Sequence, residues 1–287
     1  MKIADAHCDT IVKLLENGEN LTKNSGPIDL QKLQVYDHAL LFFAIWLSND
    51  KLNEPFRHAK EAILFFHEQS VNFNEKVSAV LALEGGEALE GKMENLYAFY
   101  DMGVRCITLT WNRQNELGDG VGVQNPRGLS PFGRDVISEM ERLGMLVDVS
   151  HIAQPGFWDV AKTATKPFIA SHSNCYHLCP HPRNLTDDQI KAVAEKNGVI
   201  GVNLYPPFLQ KDKLATVETV IAHINHTMKI GGEFCVCLGT DFDGMDITLP
   251  GLEDIRQLQI LWELLAKQHG SRITENIFYK NLTSLVN

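Results

Sequence analysis

The apolar run Leu40–Trp46, with the sequence LLFFAIW, is the stretch that most directly indicates the fold of this chain. It contains no polar residue, which is typical of a strand covered on both faces of a parallel sheet. Short runs of the same kind recur along the chain. The predicted strands are Ile3–Ala6, Leu40–Trp46, Val77–Leu83, Val104–Thr110, Leu146–Val149, Phe168–Ala170, Val199–Asn203 and Val236–Leu238.

Amphipathic segments between these strands predict helices. Ser130 followed by Pro131 is a typical helix start, and Gly144 favours a helix end. The tetrapeptide TDDQ from Thr186 to Gln189 is a capping-box pattern. The predicted helices are Phe56–Phe73, Asn95–Met102, Pro131–Leu143, Gln154–Ala164, Thr186–Lys196, Val217–Ile230 and Leu252–Gln268, with a further helix considered within Leu21–Asp37.

Eight strands that alternate with helices predict an α/β protein with a parallel sheet. In a chain of 287 residues, this number of units indicates a (β/α)8 TIM barrel that spans residues 1–287 as a single domain. An open doubly wound sheet is the alternative, but no G-x-G-x-x-G motif follows an early strand. The long glycine-rich segment Asn112–Leu129 is predicted to be a functional loop.

Composition and charge exclude several classes of protein. Hydrophobic residues make up 44% and charged residues 22%, which is ordinary for a globular protein. The net charge of −10 argues against a nucleic-acid partner. The longest apolar run, Ala39–Leu47, is too short to cross a bilayer, and the first ten residues contain no apolar signal region. We therefore expect a cytoplasmic protein without a membrane partner, whose six cysteines are reduced packing residues.

Side chains that commonly bind metals follow the predicted strands at their carboxyl ends. They are His7, Asp9, Glu84, His151, His172, Asp241 and Asp243. Each signal is weak alone, since a single histidine at a strand end is more often a hydrogen-bonded structural residue. In a barrel, however, these strand ends form one rim, where active sites are built. The joint pattern therefore predicts a metal centre.

Imidazole and carboxylate ligands suit zinc, and less decisively manganese, cobalt or iron. The set exceeds the three protein ligands of a usual catalytic zinc site, which favours two ions that share one bridging carboxylate. Glu84 lies between the two halves of the set and is the natural bridge. Two cations would acidify a bridging water to hydroxide near neutral pH, which predicts hydrolytic chemistry.

The segment Cys175–Arg183 places further polar residues near the same rim. The guanidinium of Arg183 is suited to bidentate binding of a substrate carboxylate. A salt bridge to Asp187 explains Arg183 equally well from the sequence. His177 and His181 are interpreted as surface or packing residues.

Seven short motifs then occur in a recognisable order. They are DAHCDT (Asp5–Thr10), LEGG (Leu83–Gly86), LTWN (Leu109–Asn112), DVSH (Asp148–His151), SHS (Ser171–Ser173), RNL (Arg183–Leu185) and GTDFDG (Gly239–Gly244). In combination they resemble the renal (membrane) dipeptidase family of zinc metallopeptidases, and the chain looks like a bacterial-type soluble member.

The resemblance implies a (β/α)8 barrel with two zinc ions per chain. By position, His7 and Asp9 would hold one ion, His151 and His172 would hold the other, and Glu84 would bridge them. The sequence beyond these motifs adds two weaker similarities, Leu252–Asp254 and Asn281-Leu282.

The resemblance also implies the reaction. Asp241 would contact the metal-bound water and shuttle protons, and Arg183 would bind the C-terminal carboxylate of the substrate. The implied substrate is a dipeptide, in many members including one with a D-residue at the second position, and the family suggests a homodimer. A bridging hydroxide would attack the peptide carbonyl while one zinc polarises its oxygen, and Asp241 would pass the proton to the leaving amine.

Two features depart from the family pattern. Trp111 stands where the best-known members place a histidine that is thought to touch the scissile carbonyl. Because an indole offers only a donor, we expect Trp111 to shape the substrate pocket instead. The sequence also shows neither the secretory signal nor the lipid-anchor tail of the mammalian members, so membrane attachment is not expected.

Two other functions remain as alternatives. A related amidohydrolase-type enzyme, such as an N-acyl amino acid deacylase, a lactonase or a phosphotriesterase, usually begins with His-x-His and bridges its metals with a lysine from the fourth strand. Here the first pair is His7-x-Asp9, and no lysine lies between Lys92 and Lys162. A non-enzymatic binding module is the third interpretation, and the complete ligand set argues against it.

Overall fold

The structure is a computed structural model that describes residues 1–211 and 214–286. Within these residues, one sheet of seven parallel strands forms the centre of the fold. The strands are Lys2–Cys8 (β1), His38–Trp46 (β2), Val77–Glu84 (β3), Val104–Thr108 (β4), Leu146–Asp148 (β5), Ile200–Val202 (β6) and Val236–Leu238 (β7). They pair in the order β5-β4-β3-β2-β1-β7-β6.

Most helices lie between successive strands and cover the outer face of the sheet, whereas Leu282 of the last helix packs in the inner cluster. They are Thr10–Asn17 (α1), Pro55–Ser70 (α2), Met93–Asp101 (α3), Pro131–Leu143 (α4), Gln154–Thr163 (α5), Asp187–Glu195 (α6), Pro206–Leu209 (α7), Val217–Gly231 (α8), Leu258–His269 (α9), Ser271–Glu275 (α10) and Asn281–Thr283 (α11). Short 3-10 segments are Lys32–Val35, Asn49–Lys51, Gly86–Leu89 and Ile255–Gln257, and a π-helical turn, Asn276–Lys280, joins α10 to α11.

Helix boundaries follow the capping signals of the sequence. The Ser130 hydroxyl accepts a hydrogen bond from the Gly133 amide at 2.9 Å, and Gly144 closes α4 in the left-handed conformation with φ of 73°. Thr186 and Gln189 form the predicted capping box at the start of α6. These two helices are confirmed because their start signals are local and need no distant partner.

The sheet curls around a small inner core. Alternate residues of β2 belong to different clusters: Leu40 and Phe42 face inward, whereas Leu41 and Phe43 pack in the larger core that contains residues of the covering helices. The inner cluster also holds residues of β1, β3, β4 and β7, together with Ile169. Strands from one end of the sheet to the other can share such a cluster only when the sheet is curved. The structure is therefore an α/β fold with a curled parallel sheet.

The predicted sixth strand, Phe168–Ala170, is wrong as a strand among the described residues. This segment makes only isolated parallel bridges, Ile169 with Asp148 and Ala170 with Ile200. The Val149 amide donates to the Ile169 carbonyl at 2.8 Å, and the Ala170 amide donates to the Val199 carbonyl at 3.0 Å. The segment thus touches both edges of the sheet, but one bridge on each side is too short to form a ladder.

Other boundaries also differ from the prediction. Helix α9 begins at Leu258 rather than Leu252, because Asp254 caps the preceding turn by accepting from the Arg256 amide at 2.9 Å. Between Leu21 and Asp37 only a 3-10 segment forms, and α1 was not predicted. All six cysteine side chains are buried, as expected of packing residues.

Membrane-spanning segments were sought among the helices of residues 1–211 and 214–286. No helix there has the length and apolar character required to cross a bilayer.

Candidate metal centre and active site

The carboxyl edge of the sheet gathers the predicted ligands. His7 lies near the end of β1, Asp9 follows this strand directly, and Glu84 is the last residue of β3. His151 and His172 lie in the segments that follow β5 and the bridging residues 169–170. All five side chains are buried. Because parallel strands end on the same side of a sheet, residues far apart in the sequence meet here.

The carboxylate of Glu84 lies between two groups of potential ligands. Its Oε2 atom is 3.5 Å from His7 Nε2, whereas its Oε1 atom is 2.9 Å from His151 Nε2 and 3.6 Å from His172 Nε2. His7, Asp9 and Glu84 form one group of ligand atoms within 4.8 Å of one another, and Glu84, His151 and His172 form another. One carboxylate thus faces both groups with different oxygens.

Hydrogen bonds fix the tautomer of His172. The Ser171 hydroxyl donates to Asp148 Oδ2 at 2.5 Å, so its only proton is used there. The same oxygen lies 2.8 Å from His172 Nδ1 and must therefore accept the Nδ1 proton. His172 Nε2 is left without a proton and points at Glu84.

A hydrogen bond also fixes the tautomer of His151. Its Nδ1 atom lies 2.8 Å from Asn112 Oδ1, an acceptor, so the proton is on Nδ1 and Nε2 carries a lone pair. Burial lowers the pKa of His151 to about 4, with a further contribution from the charge of Arg183. Burial, followed by the charge of His7, also lowers the pKa of His172 well below its usual value. Both rings are therefore neutral near pH 7.

These two neutral rings place their Nε2 lone pairs 2.8 Å from each other and beside a carboxylate oxygen. Lone pairs at this distance repel one another unless a cation lies among them. Neutral imidazoles whose second nitrogen is held by a hydrogen bond are the usual form of histidine metal ligands. The donor set on this side of Glu84 therefore fits a metal ion.

His7 supports the same interpretation on the other side of Glu84. Its Nε2 atom is buried and has no hydrogen-bond partner among the described residues. Burial opposes a charge on this ring, but the carboxylates of Glu84 and Asp9 outweigh it and raise the pKa of His7 well above its ordinary value. This position attracts positive charge, which a bound cation supplies as well as a proton does.

Asp241 lies beside the two groups. It forms a third cluster of potential ligands with His7 and His172, whose ligand atoms lie within 4.8 Å of one another. Its Oδ2 atom accepts a hydrogen bond from Asn203 Nδ2 at 2.9 Å. Desolvation raises the pKa of Asp241 to about 6, although the charge of His7 opposes this increase. A carboxylate with such a pKa can accept and return a proton near neutral pH.

The backbone at this edge has three non-glycine residues with positive φ angles. His151, Asp241 and Asp243 have positive φ angles of 65°, 64° and 69°. Non-glycine residues rarely adopt this region, and such strain is concentrated at active sites. Asp243 belongs to none of the ligand groups, since its Oδ2 atom accepts from the Thr10 hydroxyl at 2.6 Å.

Arg183 is a buried cation with few partners. One Nη2 proton is donated to the His172 carbonyl at 3.1 Å, while Nε has no hydrogen-bond partner among the described residues. The alternative of a salt bridge to Asp187 is wrong, because Asp187 lies 2.7 Å from His226 Nε2 instead. A buried guanidinium without a carboxylate is costly, which favours an anionic ligand.

A cavity of about 450 Å³ opens over the ligand groups. Glu84, His151 and Asp241 line its floor, and Trp46, Trp111, Tyr205 and Phe208 contribute to its walls. The volume is in the range of small-molecule sites. Trp111 therefore lies at the cavity, and its role toward a substrate stays a prediction.

Several residues that organise the site were missed in the sequence. Asp148 accepts from the amides of Ser150 and Ser171 at 2.9 and 2.8 Å, and it connects the segments that carry the two histidines. Asn112 and Asn203 hold His151 and Asp241. In the sequence, these three residues could have been found as polar residues beside the ends of buried strands. His177 stacks on His226, and His181 packs against Phe208, in agreement with packing roles.

Comparisons with known proteins agree with the fold. The membrane dipeptidase family (peptidase family M19) matches residues 67–286. An uncharacterised protein from the pqqA 5′ region of Klebsiella pneumoniae is 39% identical over 220 residues, which cover 72% of this chain and 80% of that protein. An uncharacterised dipeptidase of Schizosaccharomyces pombe is 39% identical over 203 residues, which cover 69% of this chain and 49% of that protein. The chain thus spans about half the length of this fungal relative.

Two solved structures resemble the whole chain. A dipeptidase described as a metallopeptidase of family M19 has a TM-score of 0.90 at 26% identity, covering 100% of this chain and 98% of the other. A metallopeptidase from Rhodobacter sphaeroides, liganded with a phosphinate mimic of the dipeptide L-Ala-D-Ala, has a TM-score of 0.87 at 25% identity with the same coverage.

A curled parallel sheet that carries buried imidazoles and carboxylates at its carboxyl edge is the architecture of a metal-dependent hydrolase. Within this class, the chain belongs to the membrane dipeptidase family, peptidase family M19. The matched range begins after His7 and Asp9, and the tertiary structure brings these two residues to the ligands that lie within it.

Proposed function

We propose that this protein hydrolyses the peptide bond of dipeptides with the help of two zinc ions. The observation that carries the proposal is the position of Glu84, whose two carboxylate oxygens face two separate groups of ligands. His7 and Asp9 would hold one ion, and His151 and His172 would hold the other. When bound, the ions would acidify a water held between them and polarise the scissile carbonyl.

We also propose that the curled sheet is a complete (β/α)8 barrel. Residues 168–170 would occupy the place of the missing strand between β5 and β6, since they bridge to both. This closure supports the hydrolase function because it holds His172 on the same rim as His7 and Glu84.

The chain's own residues would position the dipeptide. Arg183 would bind the C-terminal carboxylate, which is supported by its burial and its unpartnered Nε. The related Rhodobacter enzyme is liganded with a mimic of L-Ala-D-Ala, and this supports a second residue of D configuration as an accepted substrate. An ion pair with the substrate would compensate the burial of the guanidinium.

Asp241 would move the proton. Its carboxylate would accept the proton of the attacking water and return it to the leaving amine. The hydrogen bond from Asn203 would hold Oδ2 and leave Oδ1 for this transfer. The raised pKa of Asp241, about 6, suits both steps near neutral pH.

The test is a panel of L-L, L-D and D-L dipeptides, with N-acetyl amino acids and lactones as competing substrates, offered to zinc-loaded protein. We expect dipeptide hydrolysis and about two zinc ions per chain by elemental analysis. Asp241→Asn should retain zinc and lose roughly 10²- to 10⁴-fold in turnover. Asp243→Asn is the matched control and should keep most of the activity.

Hydrolysis of lactones or acyl amino acids without dipeptide hydrolysis would replace the proposal with the amidohydrolase alternative. Full turnover in Asp241→Asn would remove the proton-transfer role of Asp241.

A further inference from the structure

Two tryptophans stand together on one side of the cavity. Trp46 is the last residue of β2, and Trp111 follows β4. These strands are the two neighbours of β3 in the sheet, and β3 ends with Glu84. The two indole rings therefore flank the carboxylate at the centre of the ligand groups.

The rings form one continuous apolar surface, here called the tryptophan wall and defined by Trp46 and Trp111. Their centroids are 5.4 Å apart at an interplanar angle of 54°. Trp111 also lies nearly parallel to the ring of His151, with 6.2 Å between the centroids. The guanidinium of Arg113 lies 5.6 Å from the Trp111 centroid, close enough for a cation–π contact that holds the ring in place. Both tryptophans line the cavity.

The opposite side of the cavity carries two other aromatic rings, those of Tyr205 and Phe208, which follow β6. In the curled sheet β6 lies across from β3, because β2, β1 and β7 separate them on one side and β4, β5 and residues 168–170 separate them on the other. Phe208 is 5.4 Å from the guanidinium of Arg183. If Arg183 binds the C-terminal carboxylate, as proposed above, the second residue of the dipeptide lies on the side of Phe208.

The direction of the substrate then follows from geometry. In the proposed function, the peptide bond would lie over Glu84 and the histidines, between the two sides. The side chain of the first residue must therefore extend away from Phe208, toward Trp46 and Trp111. The cavity as a whole, about 450 Å³ and lined by both tryptophans, is in the range of sites that hold a small molecule such as a dipeptide.

We infer that the tryptophan wall is the binding surface for the side chain of the first residue, so that the preferred substrates are dipeptides with a large apolar or aromatic first residue. This inference rests on the proposed dipeptidase function and adds the substrate class. Aromatic rings bury a large area against one another and pack in offset or tilted arrangements such as the one between these two indoles.

The experiment compares Phe-Ala with Gly-Ala, which differ in the first residue, and Ala-Phe with Ala-Gly, which differ in the second. For the wild type we expect kcat/KM to be at least about tenfold higher for Phe-Ala than for Gly-Ala. Trp46→Leu and Trp111→Leu should reduce this ratio, mainly through KM, and leave the Ala-Phe to Ala-Gly ratio unchanged. Trp262→Leu is the matched control, since Trp262 packs on Phe278 and does not line the cavity.

A second measurement does not depend on turnover. In the Asp241→Asn protein, Phe-Ala should bind at least about tenfold more tightly than Gly-Ala by titration calorimetry, and either tryptophan substitution should abolish the difference. Equal affinities for Phe-Ala and Gly-Ala would overturn the inference. Tryptophan substitutions that change only the Ala-Phe to Ala-Gly ratio would overturn it as well. A wild type that binds Phe-Ala tightly but cleaves no dipeptide would instead refute the proposed function and leave the wall as a binding surface.

Discussion

Gly244 is a residue at which the smallest side chain, that of alanine, should lower activity by disturbing two carboxylates. A Cβ atom at this position would lie 2.3 Å from Asp9 Oδ2 and 2.5 Å from Asp241 Oδ1. Ordinary contacts begin at 3.4 Å, so Gly244→Ala must displace the Asp9 carboxylate by about 1 Å. Asp9 Oδ2 is also the atom that lies 3.4 Å from His7 Nε2, and its displacement would therefore disturb the ligand group.

The expected magnitude follows from this displacement. A misplacement of about 1 Å in a catalytic arrangement costs roughly 100-fold in rate, or about 2.7 kcal/mol of activation free energy. The free energy of unfolding should change little, because no positive φ angle makes alanine unfavourable at this position. Gly18 gives the opposite control: its φ is +66° and no heavy atom lies within 4 Å of its Cβ position. Gly18→Ala should lose about 1 kcal/mol of stability and keep full activity.

The assay combines three measurements on each variant: kcat/KM with the best dipeptide substrate, bound zinc by elemental analysis, and thermal unfolding. Activity of Gly244→Ala within about threefold of the wild type, at full zinc content, would show that neither carboxylate has to hold this position. An equal loss of activity in Gly18→Ala would assign the effect to general destabilisation instead.

Two further predictions concern the proton network and the cysteines. Asp148→Asn places an amide donor beside the Ser171 hydroxyl, which then donates its proton to His172 Nδ1 and forces the imidazole proton onto Nε2. Zinc affinity, measured by equilibrium dialysis, should therefore fall about 10- to 100-fold. Unchanged zinc affinity would contradict the tautomer assigned to His172. Burial raises the pKa of Cys175 and Cys235 to about 12, so their thiols stay protonated at pH 8. A thiol reagent should therefore modify none of the six cysteines in the native protein and all six after denaturation, and rapid native labelling would show that the buried packing is wrong.

The local parts of the fold were predictable. Most of strand β2 was recognised because its run Leu40–Trp46 is entirely apolar, as is typical of a strand covered on both faces. Helix α4 was recognised because Ser130 and Gly144 act within one turn of its ends. Helix α1 was missed because it begins directly after β1 and Asp9 and has no side-chain cap. Residues 168–170 have the same apolar character as the predicted strands, so the sequence does not distinguish them. They differ from a strand because they form one isolated bridge on each side instead of a ladder.

The sequence alone also indicated which residues to propose as metal ligands and catalytic groups. The motifs around His7, Glu84, His151, His172 and Asp241 predict the ligand types and their order, because imidazoles and carboxylates recur at the strand ends. Their family followed from the same motifs. This information is carried by residue type and spacing, and neither requires knowledge of distant contacts.

The tertiary structure decided how these residues act together. The two oxygens of Glu84 face different histidines, the proton on His172 is set by Asp148 through Ser171, and Arg183 is free of Asp187 because His226 on α8 pairs with that carboxylate. Each of these facts depends on side chains that are far apart in sequence and meet only when the sheet curls. The identity of a ligand is therefore a local property of the sequence, whereas its orientation and protonation state are properties of the folded chain.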